Sequence, residues 1–293
     1  MVKKKWYSIA FTLPAIIFLV SGSLFPFFYS LVRSFQQWNL NVPGNQIKFI
    51  GFSNYAQLFS RFDIFINPLI ITLIFVISSV FLEFIFAMIL ALLLSSREIK
   101  GKNIFRTCLL IPMATTPVIV GLIGKYIFSD FGIINHYINK LGIASPPLLG
   151  SSIMALVVVI FIEVWQWTPF MTLILEAGLN NISQSVVEAA NIDGAKPFQV
   201  LRFIKIPLLK RLIVIALMLR TMDCIRIFDM IWSLTGGGPV NATETVSLAA
   251  YRIVFRYFNI GLGSAYCYVI LIITIAISMF FINILRREEQ KAW

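Results

Sequence analysis

Four charged residues stand at intervals of three inside a largely apolar run near residues 210–233. They are Arg220, Asp223, Arg226 and Asp229. Side chains three residues apart can pair along one helix. An unpaired charge at the centre of a bilayer costs at least about 2.5–3.5 kcal/mol on insertion scales, so each of the four needs a partner or water. Such residues can pair with one another, contact a second polypeptide, bind a polar ligand or relay protons.

The geometry of a continuous helix limits what these four residues can do together. Steps of three residues drift by about 60° around a helix, so Arg220 and Asp229 should point to opposite sides. We therefore expect that the four cannot all line one cavity. Glu163, in another apolar run, adds a further buried carboxylate to the residues that need a partner.

A polar segment lies directly before this run and reads Glu188-Ala-Ala-Asn-Ile-Asp-Gly-Ala195, followed by Ile206-Pro207. Ser185 and Glu188 fit a capping box, which predicts a helix that begins at 185–186. Gly194 can end that helix in a left-handed conformation. Pro197 suits the first turn of a second helix, which we expect to reach about Lys205 before Pro207 opens the next apolar run.

The two short helices predict a hairpin loop over about 179–211. Isolated helices shorter than about 12–15 residues are marginal in water, so the hairpin needs support. Ala189 and Ala190 form a small-residue face that would suit the groove of another protein. The cations Lys196, Arg202 and Lys205 are expected to contact lipid headgroups at the inner membrane surface.

Composition indicates a polytopic membrane protein. Of the 293 residues, 59% are hydrophobic and 13% charged, and mean hydropathy is +0.87. A soluble domain carries about 25% charged residues. Six charge-poor runs approach or exceed the length of about 20 residues that crosses a bilayer as a helix. They predict an all-α membrane protein with a single domain, 1–293, and six transmembrane helices at about 9–32, 66–94, 107–128, 153–175, 210–233 and 262–285.

The formal net charge of +11 reflects membrane topology rather than nucleic-acid binding. Most cations fall on four segments that share one side if the N-terminus is cytoplasmic, which fits the positive-inside rule with both termini cytoplasmic. Those segments contain Lys3–Lys5, Arg97 with Lys100, Lys102 and Arg106, the hairpin cations, and Arg286, Arg287 and Lys291.

Several prolines and glycines predict irregular helices. Kinks are expected in the first and third runs, where neighbouring helices or cavities can satisfy the freed carbonyls. The positions are Pro14, Gly22, Pro26, Pro112 and Pro117. The longest loop, about 33–65, contains Pro43-Gly44 and Gly51 and could hold a short amphipathic helix or a docking surface.

The hairpin string resembles the signature loop, or EAA motif, of binding-protein-dependent ABC importer permeases, with Ile206 in place of the usual Leu. Other segments are similar to the carbohydrate-importer branch, whose maltose-type permeases carry comparable motifs. These segments are Phe128 to Asn135, Trp165 to Phe170, Leu234 to Pro239, and Ala242 to Thr245. The resemblance extends over most of the chain.

The resemblance implies the transmembrane domain of a type I ABC importer in a bacterial inner membrane. Its partners would be a second six-span permease in a heterodimer, a dimeric cytoplasmic ABC ATPase that binds ATP and Mg, and an extracytoplasmic solute-binding protein. No cofactor is expected in this chain. The residues implied to couple to the ATPase are Glu188, Ala189, Ala190, Asp193, Gly194 and Ala195.

Alignment with maltose-type permeases implies a substrate pathway formed by Glu163, Trp165, Trp167, Phe170, Arg220, Asp223, Cys224 and Ile227. Aromatic faces, carboxylates and arginine suit the ring faces and hydroxyls of carbohydrates. Trp167, Arg220 and Asp223 depart from the maltose pattern. They therefore suggest an oligosaccharide or an acidic or decorated sugar, with Arg220 meeting an anionic group. For the aromatic residues, packing against lipid is the alternative.

Two other classes of protein are weighed against an importer subunit. A proton- or ion-coupled secondary transporter would use the charges near 220–229 as a relay. A membrane enzyme would need clustered acid-base or metal-binding residues. We identify no catalytic or metal-ligating set around the single histidine, His136, or the three cysteines. Gly121 to Lys125 fails the phosphate-loop pattern, so the chain is not expected to hydrolyse ATP itself.

Overall fold

The computed structural model describes residues 2–42, 47–96 and 101–291. Pro43-Gly44 and two predicted inner-side cations, Arg97 and Lys100, lie outside the described residues. The chain forms two compact units, one of Met1–Ile66 with Ala249–Ile273 and one of Asn67–Leu248 with Thr274–Trp293. The assignment of the chain to a single membrane domain stays a prediction.

The first unit begins with a long helix and continues into a small loop structure. Its N-terminal elements, in chain order, are α1 Val2–Leu19, a π turn Val20–Leu24, α2 Phe25–Ser34, β1 Gln36–Gln37, β2 Lys48–Phe49, α3 Ser53–Ser60 and a π turn Phe62–Ile66. The buried amide of Asn54 donates hydrogen bonds to the backbone oxygens of Ser34 at 2.8 Å and Gln36 at 3.0 Å. The helix α3 confirms a short helix in the long loop, and the antiparallel pair β1–β2 is a small departure from an all-α chain.

The second unit is a helical bundle with a hairpin at one end. Its first helices are α4 Asn67–Ser95, α5 Lys102–Ala114, α6 Pro117–Phe128, α7 Ile133–Lys140 and α8 Ser152–Asn180. The following elements are α9 Gln184–Ile192, α10 Pro197–Val200, a π turn Leu201–Lys205, α11 Ile206–Ile225 and α12 Asp229–Leu234. The remaining elements of the chain are α13 Val246–Tyr251, a π turn Arg252–Arg256 and α14 Ile260–Lys291. Of these, the stretch Ala249–Ile273 belongs to the first unit.

Five helical segments among the described residues are long and apolar enough to cross a membrane. They are Phe11–Ser34, Phe62–Ser95, Pro117–Lys140, Ser152–Asn180 and Ile260–Arg287. A continuous helix over 210–233 is the wrong prediction, because α11 ends at Ile225 and the chain turns before α12 begins at Asp229. The count of six spans therefore stays a prediction.

Prolines explain most of the irregular turns in these helices. Proline has no backbone N–H, and its ring collides with the carbonyl four residues earlier. Widening the preceding turn to an i→i+5 bond relieves the collision, as in the bonds from Phe25 N–H to Val20 O and from Ile206 N–H to Leu201 O. Three π turns end two residues before a proline, namely before Pro26, Pro68 and Pro207. The expected kink near Gly22 and Pro26 takes this form.

The widened turn at Leu201–Lys205 also corrects the predicted hairpin. The second helix does not stop at Lys205, because α10 continues through the π turn directly into α11. In the third apolar run the chain does break, at Thr115 and Thr116, between Pro112 in α5 and Pro117 at the start of α6. That break confirms the irregularity expected there.

The core of the second unit is formed mainly by α4, α8 and α11. Small residues allow the backbones to approach, as is usual between membrane helices. A Cβ atom on Gly178 of α8 would lie 2.5 Å from side-chain carbons of both Leu209 and Leu212 of α11. This close packing brings the polar residues of α4, α8 and α11 within hydrogen-bonding reach of one another.

Candidate functional site: a buried charge bridge beside a polar cavity

Arg220 of α11 forms a bidentate ion pair with Glu83 of α4. Its Nε donates to Glu83 Oε2 at 2.7 Å and its Nη2 donates to Glu83 Oε1 at 2.9 Å. Both side chains are fully enclosed, with 1% and 0% of their surface exposed. The planar fork of a guanidinium matches a carboxylate in this arrangement, which gives the pair both strength and a fixed orientation.

The same guanidinium reaches α8. Arg220 Nη2 donates to Glu163 Oε1 at 2.6 Å and lies 3.3 Å from the sulfur of Cys224, one turn along α11. The ring of Trp167 covers the guanidinium carbon at 4.7 Å from the ring centroid. One arginine thus ties α4, α8 and α11 together, and we call Arg220, Glu83 and Glu163 the charge bridge.

The charge bridge already contains its own cation. Donor atoms of Glu83, Glu163 and Cys224 lie within 4.8 Å of one another, a spacing that could hold a metal ion. Arg220 Nη2 contacts all three of these residues. The guanidinium therefore supplies the positive charge that such a group of ligands would otherwise require.

A polar cavity of about 410 Å³ lies against the charge bridge. Its walls include Arg220, Asp223, Arg226 and Asp229, which corrects the expectation that these four cannot share one cavity. That expectation assumes a continuous helix, whereas the turn after Ile225 brings Arg226 and Asp229 back to the same side. The cavity is lined by Pro117, Glu163, Trp167, Arg220, Asp223, Arg226, Ile227, Phe228, Asp229 and Met230.

The structure brings together five of the eight residues of the proposed substrate pathway: Glu163, Trp167, Arg220, Asp223 and Ile227. Cys224 is buried behind Arg220. Phe170 packs against Trp167 with ring centroids 6.3 Å apart. Trp165, half exposed, lines a separate apolar groove of about 500 Å³ between α4, α5 and α8. Trp165 therefore lies outside the polar cavity, and its packing against lipid stays a prediction.

Arg220 does not have the surroundings expected of an anion-binding arginine. Its nitrogens contact Glu83, Glu163 and, at 3.9 Å, Asp223, while Trp167 covers one face. These contacts do not favour the expectation that Arg220 meets an anionic substrate group, which stays a prediction. Internal pairing, which is the other expectation, is correct for Arg220, although its closest partners come from α4 and α8 rather than from α11.

Two charged contacts between helices of the bundle are not predicted from the sequence. Glu83 is the single charged residue between Ile66 and Ser95, and a lone carboxylate in a membrane-length run is itself a signal of a functional or paired group. Arg106 of α5 pairs with Glu176 of α8, and Arg106 Nε donates to Glu176 Oε1 at 3.0 Å. This second pair joins two helices near the end of the bundle that carries the hairpin.

The hairpin has the geometry expected at Gly194. Gly194 adopts a left-handed φ of +82°, with open space where a side chain would stand. The N–H of Ala195 donates to Ala190 O at 2.9 Å and thereby closes the end of α9. Pro197 begins α10 as predicted.

The start of α9 differs from the predicted capping box. The helix begins at Gln184, with Ser183 rather than Ser185 in the cap position. Glu188 does not reach back to a cap, because its Oε1 accepts a hydrogen bond from Gln184 Nε2 at 2.5 Å. The Ser183 and Ser185 hydroxyls hydrogen-bond to each other at 2.7 Å.

The hairpin is a largely uncovered surface. α9 has no buried residue, and Glu188, Ala189, Asp193 and Gly194 are all exposed, while Ala190 and Ala195 are partly covered. Apolar side chains stand beside them, with Ile192 86% exposed and Phe198 68% exposed. Exposed apolar patches of this kind mark contact surfaces for other proteins or membranes.

Membrane-length helices, an enclosed ion network beside a polar cavity and an uncovered hairpin together describe a helical membrane transport subunit. The chain belongs to the family described as binding-protein-dependent transport system inner membrane component, which matches residues 83–287. It is therefore an inner-membrane permease component of an ABC transporter and not an enzyme. This family does not favour the secondary-transporter alternative.

Two relatives and one solved structure illustrate the likeness. A probable ABC transporter permease protein of Sinorhizobium fredii is 39% identical over 92% of this chain and 86% of its own length. The trehalose transport system permease protein of Mycobacterium tuberculosis is 37% identical over the same shares, 92% and 86%. A chain of a bacterial alginate ABC transporter, crystallised with its alginate pentasaccharide-bound periplasmic protein, superposes with a TM-score of 0.82. It has 21% identity and covers 98% of this chain and 96% of that one. It therefore supports the type I importer fold.

Proposed function

We propose that the chain is the permease subunit of an ATP-driven importer that moves a sugar or sugar derivative into the cell. It would receive the solute from an extracytoplasmic binding protein and release it at the cytoplasmic side. A second six-span permease would complete the pathway in a heterodimer. The observation that carries this proposal is the exposed hairpin of α9 and α10 on a chain of this family.

The hairpin has the properties of a docking element for a separate ATPase. Its exposed apolar residues, Val186, Ile192 and Phe198, offer surface that a partner could bury. Ala189 and Ala190 permit close approach, and Glu188 offers a carboxylate at the exposed surface of α9. ATP and Mg would bind in that ATPase dimer, because this chain is not expected to contain a nucleotide site.

The orientation follows from the distribution of positive charge. The hairpin contains Lys196, Arg202, Lys205, Lys210 and Arg211, which supports a cytoplasmic location by the positive-inside rule. Both termini would then be cytoplasmic. With this orientation the ATPase meets the hairpin in the cytoplasm, and the binding protein meets the opposite side.

The sugar assignment rests on relatives and on the chemistry of the cavity. The relative from Mycobacterium tuberculosis is described as a trehalose permease, and one from Thermococcus litoralis, 36% identical over 80% of this chain and 79% of its own length, as a trehalose/maltose permease. Carboxylates and an aromatic ring at the cavity wall suit hydroxyl groups and apolar ring faces. Glu163, Asp223 and Trp167 supply these groups here.

The test uses two substitutions in the hairpin. Glu188→Lys reverses the charge at the contact surface, and Gly194→Pro forbids the left-handed turn. Both variants should reach the membrane and lose ATP-driven sugar uptake in proteoliposomes containing the complete importer. Gly142→Pro is the matched control, because Gly142 also has a left-handed φ, +77°, with open space around it, but it follows α7 rather than α9. It should retain uptake.

The opposite result would identify a different transporter class. Uptake that survives both hairpin substitutions, needs no ATP and follows an imposed proton gradient would overturn the proposal. Co-purification gives an independent measurement, since loss of the ATPase from Glu188→Lys preparations, with the second permease retained, is expected.

A further inference from the structure

Each arginine at the polar cavity is paired with a carboxylate of this chain. Arg220 is enclosed by Glu83, Glu163 and the ring of Trp167. Arg226 is 65% exposed, and its Nη2 donates to Asp223 Oδ1 at 3.3 Å. Arg220 therefore offers no unoccupied fork to an incoming anion, and Arg226 is already engaged by Asp223.

The carboxylates at the same place outnumber the arginines. Glu163, Asp223 and Asp229 line the cavity, and Glu83 stands behind Arg220. Against these four carboxylates stand two guanidiniums, Arg220 and Arg226, among the described residues around the cavity. At the exposed part of the wall, Asp223 and Asp229 stand against a single arginine, Arg226, so this part of the cavity carries an excess of negative charge.

One oxygen at the cavity wall has a free acceptor site. Glu163 is 2% exposed, and its Oε1 accepts from Arg220. Its Oε2 is buried and has no hydrogen-bond partner within the described residues. A buried acceptor without a partner costs free energy, so a donor from a ligand in the cavity would be favourable. Sugar hydroxyls are donors of this kind.

We infer that the transported sugar carries no negative charge on the portion that enters this cavity. This inference rests on the proposed sugar import. An anionic sugar would meet the excess carboxylates at short range, where the low polarity of the site strengthens repulsion. A neutral sugar avoids that repulsion and can donate hydroxyl hydrogens to Glu163 and Asp223. The charge bridge positions Glu163 for this contact, and Arg220 acts as a positioning residue rather than as an anion ligand.

The experiment compares one sugar in two charge states on the purified membrane complex of this chain, the second permease and the ATPase, without the binding protein. The probes are trehalose and the same disaccharide with one CH2OH oxidised to a carboxylate. Equilibrium binding should favour trehalose by at least about tenfold. The double variant Asp223→Asn with Asp229→Asn should reduce the difference to about threefold or less, through tighter binding of the acidic sugar.

The matched control is Asp130→Asn, the same chemical change at an exposed aspartate in the turn after α6, outside the cavity. It should leave the tenfold preference unchanged. Equal or tighter binding of the acidic sugar by the unaltered complex would overturn the inference and leave the importer role standing. Binding of neither sugar would instead remove the sugar assignment, and the inference with it.

Discussion

The charge bridge and the hairpin are two polar regions of one unit that differ in how far their side chains are buried and paired within the chain. In the bridge, Arg220 is 1% exposed and contacts carboxylates on two other helices. In the hairpin, α9 has no buried residue. The hydrogen bond from Gln184 to Glu188 joins two exposed side chains one turn apart on that helix. The first region is held by the chain itself, and the second presents its surface outward.

This difference indicates that the charges of the bridge stabilise the fold, whereas the charges of the hairpin are available to a partner. A buried ion loses its hydration at a cost of several kcal/mol. Buried ions must therefore be paired, so that attraction and hydrogen bonds offset this cost. Exposed pairs contribute about 0–1 kcal/mol. We therefore expect substitutions in the bridge to change stability strongly, and substitutions in the hairpin to change coupling with little change in stability.

The largest effect is expected from Arg220→Met. Removing the guanidinium leaves Glu83 and Glu163 buried without their cation, which should lower the free energy of unfolding by about 3–5 kcal/mol. Thermal unfolding of the purified chain in detergent measures this loss. The triple variant with Glu83→Gln and Glu163→Gln as well should recover most of it, since no unpaired charge then remains. Failure of this rescue would mean that the bridge stabilises by shape rather than by charge.

An intermediate effect is expected from Arg106→Ala. The Glu176 side chain is 4% exposed, whereas Arg106 is 37% exposed, so solvent partly screens the pair. The loss should be about 1 kcal/mol, near the upper end for exposed pairs. The same unfolding assay, repeated at high salt, should show a smaller difference between variant and parent. A loss as large as that of Arg220→Met would remove the distinction between an enclosed bridge and a boundary pair.

The smallest effect on stability is expected from Gln184→Ala, which removes the hydrogen bond to Glu188. Because both side chains are exposed, the free energy of unfolding should change by no more than about 0.5 kcal/mol. The midpoint of thermal unfolding in detergent should therefore match that of the parent chain. A clear decrease would show that the hairpin is packed into the unit, contrary to its exposure.

The sequence predicts the regions that depend on local chemistry. Long apolar runs give the main helices, since a membrane requires helical segments of sufficient length. Gly194 and Pro197 mark the end of one hairpin helix and the start of the next, because each has a conformational preference that its neighbours do not change. Local sequence does not decide the cap, because Ser183 and Ser185 are both suitable, and the chain adopts the earlier one.

The charge bridge depends on contacts that local sequence does not contain. Glu83 and Arg220 are separated by 137 residues, so their pairing follows from how α4 and α11 pack. The turn after Ile225 consists of Arg226, Ile227 and Phe228, so it contains no glycine or proline from which a turn could be predicted. Without that turn, a continuous helix predicts opposite directions for Arg220 and Asp229, and the shared cavity cannot be foreseen.

Because α10 continues through the π turn into α11, Pro197 in the hairpin and Arg220 lie on one continuous helical segment. From Pro197 to Arg220 this segment is about 35 Å long at 1.5 Å per residue. A displacement of α10 would therefore be transmitted to Arg220 without an intervening loop. Any bending would concentrate at Leu201–Lys205, where Pro207 interrupts the hydrogen-bond ladder.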